Sequence, residues 1–363
     1  MKKKLLVTSF MMLGLLSSCT FSFVTNSASS LADKSENSSN TQSDSPKSTS
    51  DSVASSSSDS SSESSASSNP ASSSVSSSSS SPSISSSAAS SSSTPTPSSS
   101  SLPTESDYVP AGYALQWSDE FVGSSLNASY WSQQTGNGSD YGIWGWGNNE
   151  QENYQAANTS VNGGSLHISA KRETTTIGST TYNFTSSRLR SYGKISTTYG
   201  YVAAKIKLPA IQGMWPAFWM LPENAYQNKG WPTSGEIDIM ENRGREAYTV
   251  GGTTHSANAS GADVYHTGSY SLSTSIDQWH VYAVEWTADT IKFSADGNVY
   301  NTVDKATWVN GNDAYNNGPA PFNAPFHIIL NLAVGGNYDN GVLPPDTFSS
   351  AAMDVDYVRI YQK

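Results

Sequence analysis

Three carboxylates crowd one short stretch, Gly235-Glu236-Ile237-Asp238-Ile239-Met240-Glu241-Asn242. On a strand, side chains alternate between faces, so Glu236 and Asp238 point one way while Ile237 and Ile239 point the other, into a core. Strict alternation would then place Met240 in water and Glu241 in the core. One extra residue accommodated at Ile239-Met240, a β-bulge, returns Glu241 to the face of the other two acids. Neighbouring like charges on a sheet are disfavoured by roughly 0.2 to 1 kcal/mol a pair, so three of them require a counter-charge or a function. Glycoside hydrolysis uses such a set. In its retaining form one carboxylate attacks the anomeric carbon and another carboxyl protonates the leaving oxygen, the two lying about 5 to 5.5 Å apart. Crowding separates their proton affinities, so that one can stay ionised while the other stays protonated. On a flat strand the outer pair would lie too far apart, and a concave sheet is needed to close the gap.

Aromatic residues surround this stretch in sequence: Trp215-Pro216-Ala217-Phe218-Trp219-Met220 before it, then Trp231-Pro232, and upstream Trp144-Gly145-Trp146-Gly147-Asn148-Asn149-Glu150. Indole faces stack on the apolar faces of pyranose rings while amides and carboxylates take the hydroxyls, so Trp interleaved with Asn and Glu suits a sugar cleft. Alternation puts one face of the first run in the core; Trp215 and Trp219 are expected in the cleft, with Pro216, Phe218 and Met220 behind them. Other chemistries lose ground. There is no G-x-S-x-G, G-x-x-x-x-G-K-[ST] or H-E-x-x-H motif, and His167, His255, His266, His280 and His327 show no metal-ligand spacing.

The elements that must position these residues repeat with a period of two. Leu166, Ile168 and Ala170 share a face, as do Val202, Ala204, Ile206 and Leu208 against Tyr201, Ala203, Lys205 and Lys207; further strands are read at 280–286, 290–295, 326–334 and 353–361. Gly, Asn, Asp and Pro punctuate the intervals. No stretch of ten residues keeps a helical apolar stripe. The reading is an all-β fold, a two-sheet antiparallel β-sandwich of jelly-roll, concanavalin A-like form with a concave substrate cleft.

Composition divides the 363 residues unevenly. All aromatics except Phe10, Phe21 and Phe23 lie beyond residue 106, so residues 107–363 form one aromatic-rich domain, large enough to bury on the order of 70 to 75% of its unfolded surface. Residues 19–106 are dominated by Ser, contain no Tyr, Trp or Gly after Cys19, and cannot build a core. As an 88-residue flexible tether they would reach roughly 50 Å. At the front, Lys2, Lys3 and Lys4 precede an apolar run from Leu5 to Leu16 that suits a secretory signal over 1–18. Leu16-Ser17-Ser18-Cys19 resembles the bacterial lipoprotein signal, which implies a lipidated Cys19 and an exported protein held at the cell surface. Cys19 is the single cysteine, so neither an intrachain disulfide nor a multi-cysteine zinc site can form. A formal charge of −11 and a pI near 4.8 disfavour nucleic acid and an anionic membrane surface as partners; contact with the membrane is expected through the lipid alone, the partner is a neutral polysaccharide, and the protein is read as a monomer.

Taken in order along 107–363, the residues resemble glycoside hydrolase family 16, in its bacterial laminarinase and mixed-linkage glucanase branch. The resemblance rests on Trp117-Ser118-Asp119-Glu120-Phe121, Asn149-Glu150-Gln151, Tyr199-Gly200, Lys205 to Pro209, the Trp215 to Met220 run, Gly235 to Glu241, Leu330 to Gly336 and Val355 to Tyr361. It implies a jelly roll whose concave sheet carries the cleft, Glu236 as nucleophile, Glu241 as acid/base and Asp238 as the residue that hydrogen-bonds and tunes the nucleophile. Trp215, Trp219, Trp231, His255, Asn149 and Arg188 are expected to contact sugar. No cofactor is required for catalysis, although the family implies a structural calcium in some members, with Glu120, the backbone of Gly164 and Asp356 as matching ligands. Tyr201 and Ala203 depart from the Arg and Glu that relatives often carry. The resemblance implies an endo-β-glucanase acting on 1,3-linked or mixed 1,3-1,4-linked glucan. The alternatives are a galactan hydrolase of agarase or carrageenase type on the same fold and a surface lectin without catalysis.

Lipidation of Cys19 makes the location of the domain depend on one thiol. Cys19→Ser is expected to release the protein into the medium. Detergent-extractable membrane association that persists in this variant would contradict the anchor.

Overall fold

The computed structural model describes residues 108–224, 230–312 and 320–363; the expected signal segment 1–18, Cys19 and the serine tract 19–106 lie outside them. Two sheets account for most of the described residues, with only short 3₁₀ turns and the helix Lys305–Asn312 besides. One sheet has ten strands, in the order Asn298–Asp304, Thr290–Ala295, His280–Trp286, Gly200–Lys207, Ser350–Gln362, Ser165–Ile177, Thr180–Ser186 and Glu152–Tyr154, with Ala114–Asp119 and Thr159–Asn162 paired off this path. The other has eight: Asp263–Ser271, Thr249–Ala257, Glu236–Glu241, Met214–Pro222, Phe326–Val334, Arg188–Arg190 and Ser132–Gln134, with Ser196–Thr197 also paired to Phe326–Val334. Pairing is antiparallel save between Glu152–Tyr154 and Thr180–Ser186, which run parallel.

A single apolar layer joins the sheets. Leu166, Ile168, Val202, Ala204, Ile206, Val355 and Val358 come from the larger sheet, and Phe218, Met220, Ile237, Ile239, Met240, Ile328 and Leu330 from the smaller, all fully buried. Fully burying one such side chain is worth roughly 1.5–3 kcal/mol. Ile237, Ile239 and Met240 together therefore anchor their strand by several kcal/mol, more than the three acids on its other face cost by crowding. The bulge that permits both is present. Asp238 pairs with Thr253 and Glu241 with Gly251, three steps along one strand against two along its neighbour. On the other side Phe218 faces Met240 while Trp219 faces Asp238, which again leaves Ile239 without an opposite number.

The strand Gly200–Lys207 departs from the simple wet-face pattern. Its inward residues Val202, Ala204 and Ile206 join the main core as the alternation requires, but Tyr201 and Ala203 are buried too. They form a second cluster on the outer face of the larger sheet with Val281, Ala283, Tyr357 and Tyr361, against which Val109 and Tyr113 pack. Tyr201 and Ala203 thus meet an apolar cover contributed by the segment leading into the first strand. Several strands were not marked by the period of two, and two of them show why. Thr249–Ala257 carries Gly251 and Gly252 in place of apolar side chains, and Asp263–Ser271, at the sheet edge, has polar residues on both faces.

At Gly252 the sheets approach closely. A Cβ there would lie 2.6 Å from Tyr300 Oη and 2.7 Å from a ring carbon of the buried Phe293. Overpacking of this kind typically costs about 1–3 kcal/mol. Gly252→Ala is expected to lower the melting temperature by several degrees, at about 2–4 °C per kcal/mol for a domain of this size; an unchanged thermal transition would show that the layers part freely at this point.

Candidate active site

Glu236, Asp238 and Glu241 reach the outer face of the eight-stranded sheet because the three apolar residues between them are taken by the core. Asp238 is 3% exposed, while Glu236 and Glu241 remain partly open. His255 stands directly across from Glu236 on the neighbouring strand. Its Nε2 lies 3.4 Å from Asp238 Oδ2, and its Nδ1 lies 3.0 Å from Asp263 Oδ2. Burial works against charge on this imidazole, but the hydrogen bonds to Asp238 and Asp263 and the surrounding carboxylates overrule it and push its pKa up to about 12. The counter-charge that three crowded acids require is therefore His255.

The two glutamates are held towards their acid forms. Burial pushes Glu241 up to about 8, with the charge of Asp238 adding to the effect; the hydrogen bond from Trp215 and the positive charges of His255 and Arg243 oppose it. Glu236 rises well above the usual carboxylate range, first by burial and then by the charge of Asp238, to which its carboxyl is also hydrogen-bonded. Glu236, Asp238 and His255 offer atoms all within 4.8 Å of one another.

Aromatic residues complete the face. Trp215 Nε1 donates to Glu241 Oε1 at 2.8 Å, and its ring stacks on Tyr338 with centroids 5.0 Å apart and planes at 17°. Arg243 lies over Tyr338, 4.3 Å from its centroid. Gly336 makes the Trp215 position possible, since a Cβ there would sit 3.0 Å from the indole. Trp219 shares the outward side of the strand, with its Nε1 donating to Asn331 Oδ1 at 2.7 Å. Trp231 is 55% exposed, and its ring lies 5.7 Å from that of His255, which is in turn 5.9 Å from Tyr265. Asn149, in a left-handed conformation at φ 55, donates through Nδ2 to Asn337 Oδ1 at 2.9 Å and so ties its segment to the loop after Val334.

Arg188 does not offer the free guanidinium expected of a sugar contact. It is 3% exposed, donates through Nε to Gln134 Oε1, and is sandwiched between Trp146 and Trp219 at 4.8 and 4.7 Å. It covers one face of the Trp219 ring. The expected calcium ligands also carry other partners. Glu120 accepts two guanidinium hydrogen bonds from Arg359 at 2.9 Å, and Asp356 Oδ2 lies 2.7 Å from Lys205 Nζ, while Gly164 occupies a left-handed turn position at φ 81. With both carboxylates already paired to cations, this donor set does not fit a dication as placed.

Residues 148–358, more than half of the chain, match the sequence model of glycosyl hydrolases family 16. The chain belongs to that family. A second model, that of beta-glucan synthesis-associated proteins SKN1/KRE6/Sbg1, matches residues 54–237, a span that takes in part of the serine tract and stops short of Asp238 and Glu241. Among relatives, glucan endo-1,3-beta-glucosidase A1 of Niallia circulans is 38% identical over 251 residues, covering 66% of this chain and 36% of that protein. This chain thus spans about a third of that relative's length. The beta-glucanase of Rhodothermus marinus is 38% identical over 240 residues, covering 61% of this chain and 78% of the relative. The laminarinase catalytic domain of Thermotoga maritima MSB8 superimposes with a TM-score of 0.62 at 36% identity, over 69% of this chain and 98% of that one. The family 16 jelly roll is thereby established for the domain.

Sequence reasoning missed Tyr338 and Asp263 in this family 16 site. Tyr338 follows two glycines in a loop with no periodicity. Asp263 opens the edge strand and reaches His255 only because the turn at Asn258–Gly261 folds the two strands into a hairpin. That Asn-to-Gly turn was the available signal.

The indole N–H of Trp215 stabilises the ionised form of Glu241, so removing it favours the acid. Trp215→Phe is expected to raise the pKa of Glu241 further, beyond the value of about 8 to which burial pushes it. Carboxyl carbon NMR on Glu-labelled protein would read the shift, and an unmoved or lowered midpoint would break the link.

Proposed function

We propose that this family 16 domain is a retaining endo-β-glucanase that cuts internal bonds of 1,3-β-glucan and of mixed 1,3-1,4-β-glucan. The observation that carries the reading is the bulged strand, which brings Glu236, Asp238 and Glu241 to one face beside His255 and two indoles. In the proposed first step Glu241 gives its proton to the glycosidic oxygen, the C–O bond breaks, and a Glu236 oxygen bonds to the anomeric carbon. Asp238, hydrogen-bonded to Glu236, orients that carboxyl towards the anomeric carbon. In the second step the Glu241 carboxylate takes a proton from water, the water oxygen attacks the anomeric carbon, and Glu236 is released. Double inversion gives net retention.

Charge supports a neutral substrate. Residues 107–363 hold 14 Lys and Arg against 23 Asp and Glu, a net −9, which disfavours sulfated galactans. Trp219 and the exposed Trp231 supply stacking surface, Trp215 holds Glu241, and Asn149 is tied to Asn337, the neighbour of Tyr338. The intact carboxylate set weighs against a pure lectin, which gains nothing from the electrostatic cost. With Cys19 lipidated and the serine tract as tether, the enzyme would act as a monomer on glucan outside the membrane.

Glu236→Ala and Glu241→Ala should each reduce hydrolysis of laminarin by several orders of magnitude, measured as reducing ends, with Asp238→Asn severe but milder. A folded Glu236 or Glu241 variant with near-normal turnover would remove the assignment. Proton NMR of the first product should show the β-anomer; the α-anomer would sink the retaining mechanism.

A further inference from the structure

We propose that a buried chain of hydrogen bonds ending on Glu150 positions Trp219, which makes Asn331 and Tyr154 positioning residues for substrate binding. The inference rests on the glucanase reading above. Trp219 Nε1 donates to Asn331 Oδ1 at 2.7 Å, Asn331 Nδ2 donates to Tyr154 Oη at 3.1 Å, and Tyr154 Oη donates to Glu150 Oε2 at 2.8 Å. An indole N–H can only donate and an ionised carboxylate can only accept, so the chain has one possible polarity. That polarity fixes which way the Asn331 amide faces. Asn331, Tyr154 and Glu150 are 3%, 0% and 5% exposed, so water does not compete for these bonds, and in such surroundings each is stronger than at the surface.

The acceptor end needs only a carboxyl oxygen of Glu150 facing Tyr154, and a neighbouring cation strengthens it. Glu150 and Glu152 are hydrogen-bonded carboxyls whose burial raises both; Arg188 pulls Glu150 back down, whereas the charge of Glu150 pushes Glu152 higher. Of the two, Glu150 is the one whose charge Arg188 favours. Glu152 is itself fixed, its Oε2 accepting from the Val334 amide at 2.7 Å. Arg188 does a second job, since its guanidinium covers one face of the Trp219 ring at 4.7 Å. Edge and rear face of the indole are thus both held, leaving the remaining face for a pyranose.

The test is a double-mutant cycle on the full chain with soluble 1,3-β-glucan, together with indole ¹⁵N–¹H spectra in which Trp219 is assigned by its absence from Trp219→Phe. Tyr154→Phe keeps the ring and deletes the link. It should raise KM about three- to tenfold with kcat within twofold, shift the Trp219 indole resonance and hasten its exchange. Trp219→Phe should raise KM further, and the double variant should be no worse than Trp219→Phe alone. If Tyr154→Phe does not fold, the near-isosteric Asn331→Leu takes its place in the cycle. Multiplying effects, a fall in kcat with KM unchanged, or an unmoved indole resonance would overturn the proposal. A wild type that cuts no glucan would instead overturn the glucanase reading, and the indole spectra would still decide the positioning claim.

Discussion

Mutual repulsion among carboxylates on one strand face is the constraint around which the rest is arranged. The strand Glu236–Glu241 tolerates it because Ile237, Ile239 and Met240 are fully buried on the other side, and because the bulge at Ile239 lets both demands be met in six residues. His255 answers the charge directly, held by Asp263 so that its other nitrogen faces Asp238. The hydrophobic layer thus does more than stabilise the domain. It supplies the free energy that keeps three acids closer together than they would choose.

A second buried acidic pair repeats the solution with a different counter-charge. Glu150 and Glu152 are compensated by Arg188, as Glu236 and Asp238 are by His255. The second pair is linked through Tyr154 and Asn331 to Trp219, which stands opposite Asp238 on the neighbouring strand. Rigid placement of an indole is worth most where its hydrogen-bond partners are themselves out of reach of water.

The carboxylate strand was fully legible in the sequence, bulge included, because one misplaced pair of residues, Met240 and Glu241, breaks an otherwise strict alternation. Trp215 and Trp219 were legible for the same reason, with Phe218 and Met220 behind them in the core. Arg188 was not: a residue type gives no sign of whether its guanidinium faces sugar or is clamped between two rings. Asp263 and Tyr338 were hidden because they reach the site through a hairpin and a loop, where no period operates. Tyr201 and Ala203 read as an outer face, and only the packing of Val109 and Tyr113 shows that face to be covered.

That cover has a mechanical side. The strand Ala114–Asp119 lies against Ser350–Gln362, Ala114 opposite Gln362 and Asp119 opposite Val358, and Tyr113 donates to Glu285 while Lys363 sits over its ring. Any tension arriving from the preceding chain enters the domain here, on the sheet opposite the one that carries the acids. Val109 and Tyr113 take the load first, followed by the hydrogen-bonded ladder behind them. A pull on the segment that leads into the domain therefore falls first on the larger sheet, one apolar layer away from the strand that carries Glu236, Asp238 and Glu241.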